Sequence, residues 1–301
     1  MNNTPLPGAY GIIDLHVHSN ASDGTLSPSQ VVNLAAEKRL SAIALTDHDT
    51  VEGIPEALKA AEKADGLEVI PGVELSARYH DREIHILGLF VDIHHPVIEK
   101  ELGYMREVRK ERNREIIRRL SQAGMSLTIE ELQNGNPDTV ITRAHFARVL
   151  AEKGYVSNME QAFRKYLQPG GKYCPKKERI TPEHAMKILT SCHAFSALAH
   201  PFQYKFGKEE LDGLVDLLSG LGMEGLEVYH SSNTPYQSMC LRELALKHNL
   251  LSTGGSDFHG TNKPDIDIGT GRGGLRVSSL LLEDIRARYQ SNLTNITHKI
   301  S

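Results

Sequence analysis

The 301-residue chain has no tryptophan and only seven phenylalanines and ten tyrosines, so it is poor in the stacking platforms of a base-binding protein. Its three cysteines, Cys174, Cys192 and Cys240, are odd in number and form no CxxC pair. That disfavours a disulfide scaffold and a sulfur-ligated zinc site. No apolar run approaches the roughly 18 residues of a membrane span, and the opening MNNTPLPGAYG lacks the basic and apolar regions of a secretory signal. An excess of one charge is missing too. The 34 Lys+Arg and 38 Asp+Glu leave a net −4, too little cation for tight, sequence-independent binding of long nucleic acid. The expectation is a cytoplasmic protein with no membrane association and no stable protein partner implied. What the chain has in quantity is histidine, 15 in all.

Apolar residues at 40% and charged residues at 24% are ordinary globular composition. Short apolar runs alternate with amphipathic stretches. Residues 10–17, 41–46, 68–75, 83–91, 195–199, 226–229 and 250–254 read as seven buried strands. Helices are expected between them, the first opened by Ser27 as N-cap and Pro28 as its first residue. Continuous apolar strands alternating with helices imply an α/β fold with a parallel sheet covered on both faces, and seven strands favour a barrel.

Residues 96–180 break this rhythm with one long charged helix over Pro96–Gln122 and shorter helical pieces after it. They carry 17 Lys+Arg against 11 Asp+Glu, a net +6, so the remaining 17 against 27 leave the rest at −10. A basic helical insertion (96–180) set into a discontinuous acidic body (1–95 and 181–301) suits a substrate lid. Within the long helix, Arg106–Arg119 reads as a solvated face held by i,i+4 ion pairs.

Polar residues interrupt or close the apolar runs at telling places. His16 and His18 flank Val17 and point to one side of the first strand; Asp23 follows in the next turn. His48 follows the second strand, Glu74 ends the third run, and His85 lies in the fourth. His200 follows the fifth, while Asp257 and His259 follow the seventh. A lone histidine beside a strand is most often a hydrogen-bonded core or rim residue. Convergence argues otherwise: in a barrel the strand ends open on one face. Nine packed imidazoles and carboxylates would be costly unless cations compensated them. Nine mixed nitrogen and oxygen donors suit two or three divalent ions, with manganese, iron or zinc favoured over calcium. Paired ions clamp the attacking and leaving oxygens of an in-line displacement, the chemistry of phosphoester hydrolysis. The other nine histidines, His94, His95 and His184 among them, are expected to be surface or structural.

HVHSNASDGTLSP, ALTDHDTVEGI, GVELSA, EIHILGL, AHP and GGSDFHG resemble, in order, the motifs of the PHP (polymerase and histidinol phosphatase) superfamily. The resemblance implies a distorted (β/α)7 barrel with a trinuclear metal site. It assigns His16, His18, Glu74 and Asp257 to the first ion, with Glu74 bridging to a second completed by His85 and His200. Asp23, His48 and His259 would hold the third. Family members often carry His where Asp23 stands, which implies a weaker or differently selective third site.

The helical insertion is similar to that of the family's stand-alone nucleotide phosphoesterases, with Ile141–Arg148 (ITRAHFAR) resembling an insertion motif. Thr142 is a natural N-cap, and Arg143 at the helix start is the expected phosphate clamp; Arg148, Lys165, Lys172 and Tyr173 are further substrate-binding candidates. The implied activity is hydrolysis of small nucleotides at the 3′-phosphate of nucleoside 3′,5′-bisphosphates. Hydroxide supplied by the metals would attack, with Asp257, His259 and Arg143 at the reacting phosphate. Trimming of short RNA from its 5′ end, histidinol-phosphate hydrolysis and a non-catalytic metal-stabilised binding module are the alternatives.

Overall fold

The structure, a computed structural model, describes residues 10–137, 139–175 and 180–300, the last six without their side chains. The opening segment read for a secretory signal therefore lies mostly outside the described residues. Eight strands form one curved sheet in the order β7-β6-β5-β4-β3-β2-β1-β8. They are β1 (Ile12–Val17), β2 (Ala42–Leu45), β3 (Glu68–Tyr79), β4 (Arg82–Leu89), β5 (Phe195–Leu198), β6 (Gly225–His230), β7 (Leu251–Gly255) and β8 (Val277–Ser278). The first seven coincide with the apolar runs of the sequence. The eighth is a two-residue pairing with β1, too short to register as a pattern.

The sheet is not all parallel. β1–β2–β3 and β5–β6–β7 are parallel sets, but β4 runs antiparallel to both β3 and β5. Only two residues, His80 and Asp81, separate Tyr79 from its partner Arg82. His80 sits at φ +50°, the left-handed backbone that tight hairpins require. A two-residue link cannot make a parallel crossover, so the chain turns straight back. Glu74 and His85 thus lie within a long hairpin rather than at strand ends.

Helices cover the sheet: α1 (Pro28–Glu37), α2 (Ile54–Ala61), α7 (Pro182–Ser191), α8 (Lys208–Gly220), α9 (Pro235–Lys247) and α10 (Ser279–Ile300). α1 begins where Ser27 and Gln30 form a reciprocal capping box with Pro28 behind them. Between β4 and α7 come α3 (Pro96–Gln122), α4 (Ile129–Gln133), α5 (Arg143–Glu152) and α6 (Met159–Lys165). These four share a core of their own, centred on Ile116, Leu120, Leu132, Phe146 and Leu150. Among the described residues, no helix is long and apolar enough to cross a membrane.

The sheet curls until β7 meets β1. Asp257 N donates to His16 O at 2.9 Å and His18 N to Phe258 O at 3.0 Å. Gly255 permits that approach, since a Cβ there would lie 2.5 Å from His16 N and 2.4 Å from His16 Cβ. Gly255→Ala is therefore expected to destabilise the metal-free protein by about 1–3 kcal/mol, the usual cost of overpacking a closed core. Urea unfolding checks this, and an unchanged midpoint contradicts it.

Candidate metal centre

Glu74 is fully buried at the middle of β3. Its Oε2 lies 3.4 Å from His16 Nε2, 3.2 Å from His18 Nε2 and 2.9 Å from His48 Nδ1. Its Oε1 lies 2.9 Å from both His85 Nδ1 and His200 Nε2. Five imidazoles thus converge on one carboxylate. Asp257 faces the same space, its Oδ1 3.5 Å from His18 Nε2 and 3.4 Å from His259 Nδ1. Asp23 completes the group, with Oδ1 3.2 Å from His259 Nε2 and Oδ2 3.8 Å from His48 Nε2. All nine ligand candidates named from the sequence therefore fall in one cluster.

Their ligand atoms divide into four overlapping sets. His16, His18 and Asp257 form one; His16, Glu74 and His200 another; His48, Glu74 and His85 a third; and His18, Asp23, His48 and His259 the fourth. The first holds the implied first-ion group without Glu74, and the last holds the implied third-ion group together with His18. His85 and His200 fall into separate sets that share Glu74. His200 Nε2 and His85 Nδ1 are nonetheless 3.3 Å apart.

Burial and charge set the protonation of this cluster. Burial alone would raise the Glu74 carboxyl, but the imidazoles of His48, His85 and His16 hold it well below the usual range. Asp23 is held down against the same burial effect by His48 and His259, and Asp257 by Lys263 and His259. Burial depresses His200 to about 4. His85 is also buried, yet Glu74 raises it to about 9. Several polar atoms at the centre, Asp23 Oδ1, His48 Nδ1, Glu74 Oε2 and His200 Nδ1 among them, are buried without a hydrogen-bond partner. Leaving such groups unsatisfied is costly. Divalent ions fit this donor set: the atoms are nitrogen and carboxylate oxygen, close-packed, dry and turned toward one another.

Buried carboxylates behind the cluster hold the His16 imidazole and the backbone at or beside other ligands. Glu227 on β6 meets His16 Nδ1 at 2.9 Å and accepts from His200 N at 2.6 Å. Asp47 accepts from Ser19 N and Ser19 Oγ at 2.9 and 2.6 Å. Asp14 accepts from Ser256 N and Gly269 N, each at 2.7 Å. Three non-glycine residues here have positive φ: Asp49 at +54°, His200 at +26° and Asp257 at +60°. Backbone strain of this kind gathers where a site dictates side-chain direction.

The cluster opens on a cavity of about 260 Å³. Its wall holds Asp23, His48, His85 and His259 together with Arg109, Arg112, Arg143 and Lys263, with Met159 and Phe163 also lining it; Arg143 is 3.5 Å from Glu83, another lining residue. Arg143 is at the start of α5, where Thr142 caps the helix and also donates from Oγ1 to Asp23 at 3.3 Å. The remaining substrate-binding candidates lie elsewhere. Arg148 is occupied by Glu152 and by the carbonyls of Glu131 and Leu132, closing α4 against α5. Lys165 is exposed in the last turn of α6. Lys172 lies over Tyr173, whose ring packs on the core of the helical segment beside Tyr166.

Two expectations need correction. Arg109 and Arg112 are buried, at 7% and 8% exposure, and do not belong to a solvated helix face. Arg109 pairs with Asp49, while Arg112 reaches Cys174 Sγ at 3.1 Å and Pro175 O at 3.3 Å. His230, left among the surface or structural histidines, is buried with Nε2 3.5 Å from Asp257 Oδ2. Lys263 was not singled out either, and its Nζ is 2.6 Å from Asp257 Oδ2. A larger cavity, about 560 Å³ between α9 and residues 272–276, holds His230 but none of the nine ligand candidates.

Metal binding to this cluster is expected to release protons. Below about pH 9 the His85 imidazole keeps its proton, which an incoming ion must displace. Affinity should therefore rise from pH 7 to pH 9, by roughly tenfold per unit for each displaced proton. Calorimetry in buffers of different ionisation enthalpy measures the release; a pH-independent affinity contradicts it.

The model of the PHP domain matches residues 14–220. The 5′-3′ exoribonuclease Rnm of Escherichia coli is 36% identical over 252 residues, covering 83% of this chain and 86% of its own. The 3′,5′-nucleoside bisphosphate phosphatase of Chromobacterium violaceum is 34% identical over 259 residues, or 85% and 90% of the two chains. A crystal structure from Bifidobacterium adolescentis, provisionally described as a metal-dependent phosphoesterase, has a TM-score of 0.80 and 30% identity, covering 94% of this chain and 98% of that one. Sequence, fold and cluster converge: the chain belongs to the PHP family as a metal-dependent phosphoesterase.

Proposed function

We propose that the protein hydrolyses the phosphate ester at the 3′ oxygen of 5′-phosphorylated nucleotides. Nucleoside 3′,5′-bisphosphates are the first substrate class, and the 5′ end of short RNA is the second. The carrying observation is the cavity of about 260 Å³, whose wall combines Asp23, His48, His85 and His259 of the ligand cluster with Arg109, Arg112, Arg143 and Lys263. A substrate with phosphates at both ends of one nucleoside uses both kinds of group. One phosphate meets the ligand cluster, and the other meets guanidinium groups that bind phosphate oxygens bidentately.

The two substrate classes differ less than their names suggest. Loss of the 3′-phosphate from a nucleoside 3′,5′-bisphosphate breaks the P–O3′ bond. Release of the first nucleotide of 5′-phosphorylated RNA as a 5′-nucleotide breaks the same bond. Only the group left on the phosphate differs: nothing in the first case, the next nucleoside in the second. Similarity to both a bisphosphate phosphatase and 5′-3′ exoribonucleases supports this common reaction. Histidinol phosphate has a single phosphate and offers no second one to Arg143 and Arg112.

His16, His18, Asp23, His48, Glu74, His85, His200, Asp257 and His259 would hold two or three ions, with manganese the proposed metal and iron or zinc compatible with the same donors. Such ions would supply an ionised water and neutralise charge building on the phosphoryl oxygens. Arg143 and Arg112 hold the second phosphate and fix the scissile one against the cluster. Met159 and Phe163 give the sugar or base an apolar flank. Residues 96–180 serve as the substrate cover, joined to the centre by Thr142 on Asp23 and Arg109 on Asp49.

With manganese present, a nucleoside 3′,5′-bisphosphate is expected to outperform histidinol phosphate in kcat/KM, and chelation should abolish turnover of both. Arg143→Ala is expected to raise KM by about tenfold or more, the loss of one charge-assisted contact of about 1.5–3 kcal/mol. Steady-state phosphate release checks both points. Faster hydrolysis of histidinol phosphate, or an unchanged KM, contradicts the reading.

A further inference from the structure

A second cavity, about 430 Å³, adjoins Arg109. It opens between α3 and the segment leading into α5, and Arg109 lines both this cavity and the 260 Å³ one. Its volume is within the range of small-molecule sites.

The wall contains two polar atoms that nothing satisfies. Asn113 is 3% exposed, and its Nδ2 donates to Ile141 O at 3.0 Å. That bond fixes the amide orientation and leaves Oδ1 as a buried acceptor without a partner. Arg109 is 7% exposed and pairs with Asp49 through one terminal nitrogen, while its Nε is a buried donor without a partner. Both residues line the cavity, and a desolvated donor and acceptor in its wall suit the polar edge of a planar heterocycle. Ile129, Val140 and Ile141 supply apolar wall around them.

The rim is cationic. Arg106, Lys110 and Arg114 stand along α3 at the cavity. Their partners are Glu52, Glu107 and Glu111, all well exposed carboxylates in surface ion pairs. Pairs of that kind are weak and screened, so a phosphodiester can compete for these cations. Apolar wall, unsatisfied donor and acceptor, and basic rim together describe a nucleotide rather than an inorganic anion or an aliphatic ligand.

We propose that this cavity holds the second nucleoside of a short 5′-phosphorylated RNA whose first nucleotide occupies the 260 Å³ cavity, with Arg109 at the junction. The assignment rests on the nucleotide reading above and deepens it. The first cavity alone suffices for a nucleoside bisphosphate, whereas both are filled only by a dinucleotide or longer chain. Lys110 and Arg114 then serve the phosphate beyond the second nucleoside, and Asn113 Oδ1 accepts from its base.

The test uses metal-loaded protein and two non-hydrolysable ligands in which methylene replaces the bridging 3′ oxygen. One is the analogue of adenosine 3′,5′-bisphosphate; the other is that of a 5′-phosphorylated diadenylate carrying a 3′-terminal phosphate. Calorimetry is expected to show the dinucleotide bound roughly tenfold or more tightly, the increment of one further charge-assisted contact. Lys110→Glu with Arg114→Glu, two exposed positions, should lower dinucleotide affinity about tenfold and leave the mononucleotide unchanged. Ile129→Trp, which fills the cavity, should do the same. Equal affinities for the two ligands, absence of binding, or variants that affect both ligands alike overturn the assignment. Hydrolysis of the natural compounds is read separately: turnover of neither defeats the nucleotide phosphoesterase reading, whereas equal affinities with turnover intact defeat only the second subsite.

Discussion

Glu74 constrains everything else. A carboxylate removed entirely from water, with five imidazoles within 3.4 Å, is a local excess of buried polar groups that no hydrogen-bond pattern resolves. Two imidazoles that meet at 3.1 Å through their Nε2 atoms, as His16 and His18 do, can share at most one proton between them. Asp23 and Asp257 add charge to the same space. Desolvation of so many ionisable groups is unfavourable unless each finds an opposite charge. Shared divalent cations offer every lone pair a partner at once. The cluster is therefore best understood as an anionic and imidazole cage whose stability and function are coupled to metal.

The fold's departures from a regular barrel serve that cage. A parallel strand in the β4 position would present its residues at a strand end only. The β3–β4 hairpin instead pairs Ser76 with His85 and Glu74 with Leu87, so His85 reaches the carboxylate from the neighbouring strand. The close approach of β7 to β1, permitted by Gly255, brings Asp257 and His259 over the His16–His18 pair. Positive φ at His200 and Asp257 turns each side chain inward immediately after its strand ends. The helical segment reaches acidic residues of the barrel loops through Thr142 on Asp23, Arg109 on Asp49 and Arg106 on Glu52.

How much of this was legible depends on how distinctive each residue is in its surroundings. His16, His18, Glu74, His85, Asp257 and His259 interrupt apolar runs, and a polar residue inside a buried strand is conspicuous. His230 and Glu227 were equally visible in GLEVYH, since both interrupt an apolar strand. Arg109 and Arg112 were harder, buried in a run where basic residues look alike. Spacing could have found them: Ile98, Leu102, Met105, Arg109, Arg112, Ile116 and Leu120 follow one helical stripe and are all buried. A cation on the apolar stripe is informative in a way that a cation on the charged face is not. The antiparallel course of β4 was hidden for another reason. Its apolar run looks like any buried strand, and only the shortness of the His80–Asp81 link gives its direction away. Charge and nearness to a motif do not tell which way Arg148 and Lys165 face on their helices, nor how Lys172 and Tyr173 are turned in the segment after α6.

The most direct test is anomalous diffraction from crystals of the protein loaded with manganese. Two or three anomalous peaks are expected among Glu74, Asp257, Asp23 and the six surrounding histidines, with Glu74 in contact with more than one of them. Manganese found only at surface carboxylates, with those nine side chains still bonded to one another, would contradict the account.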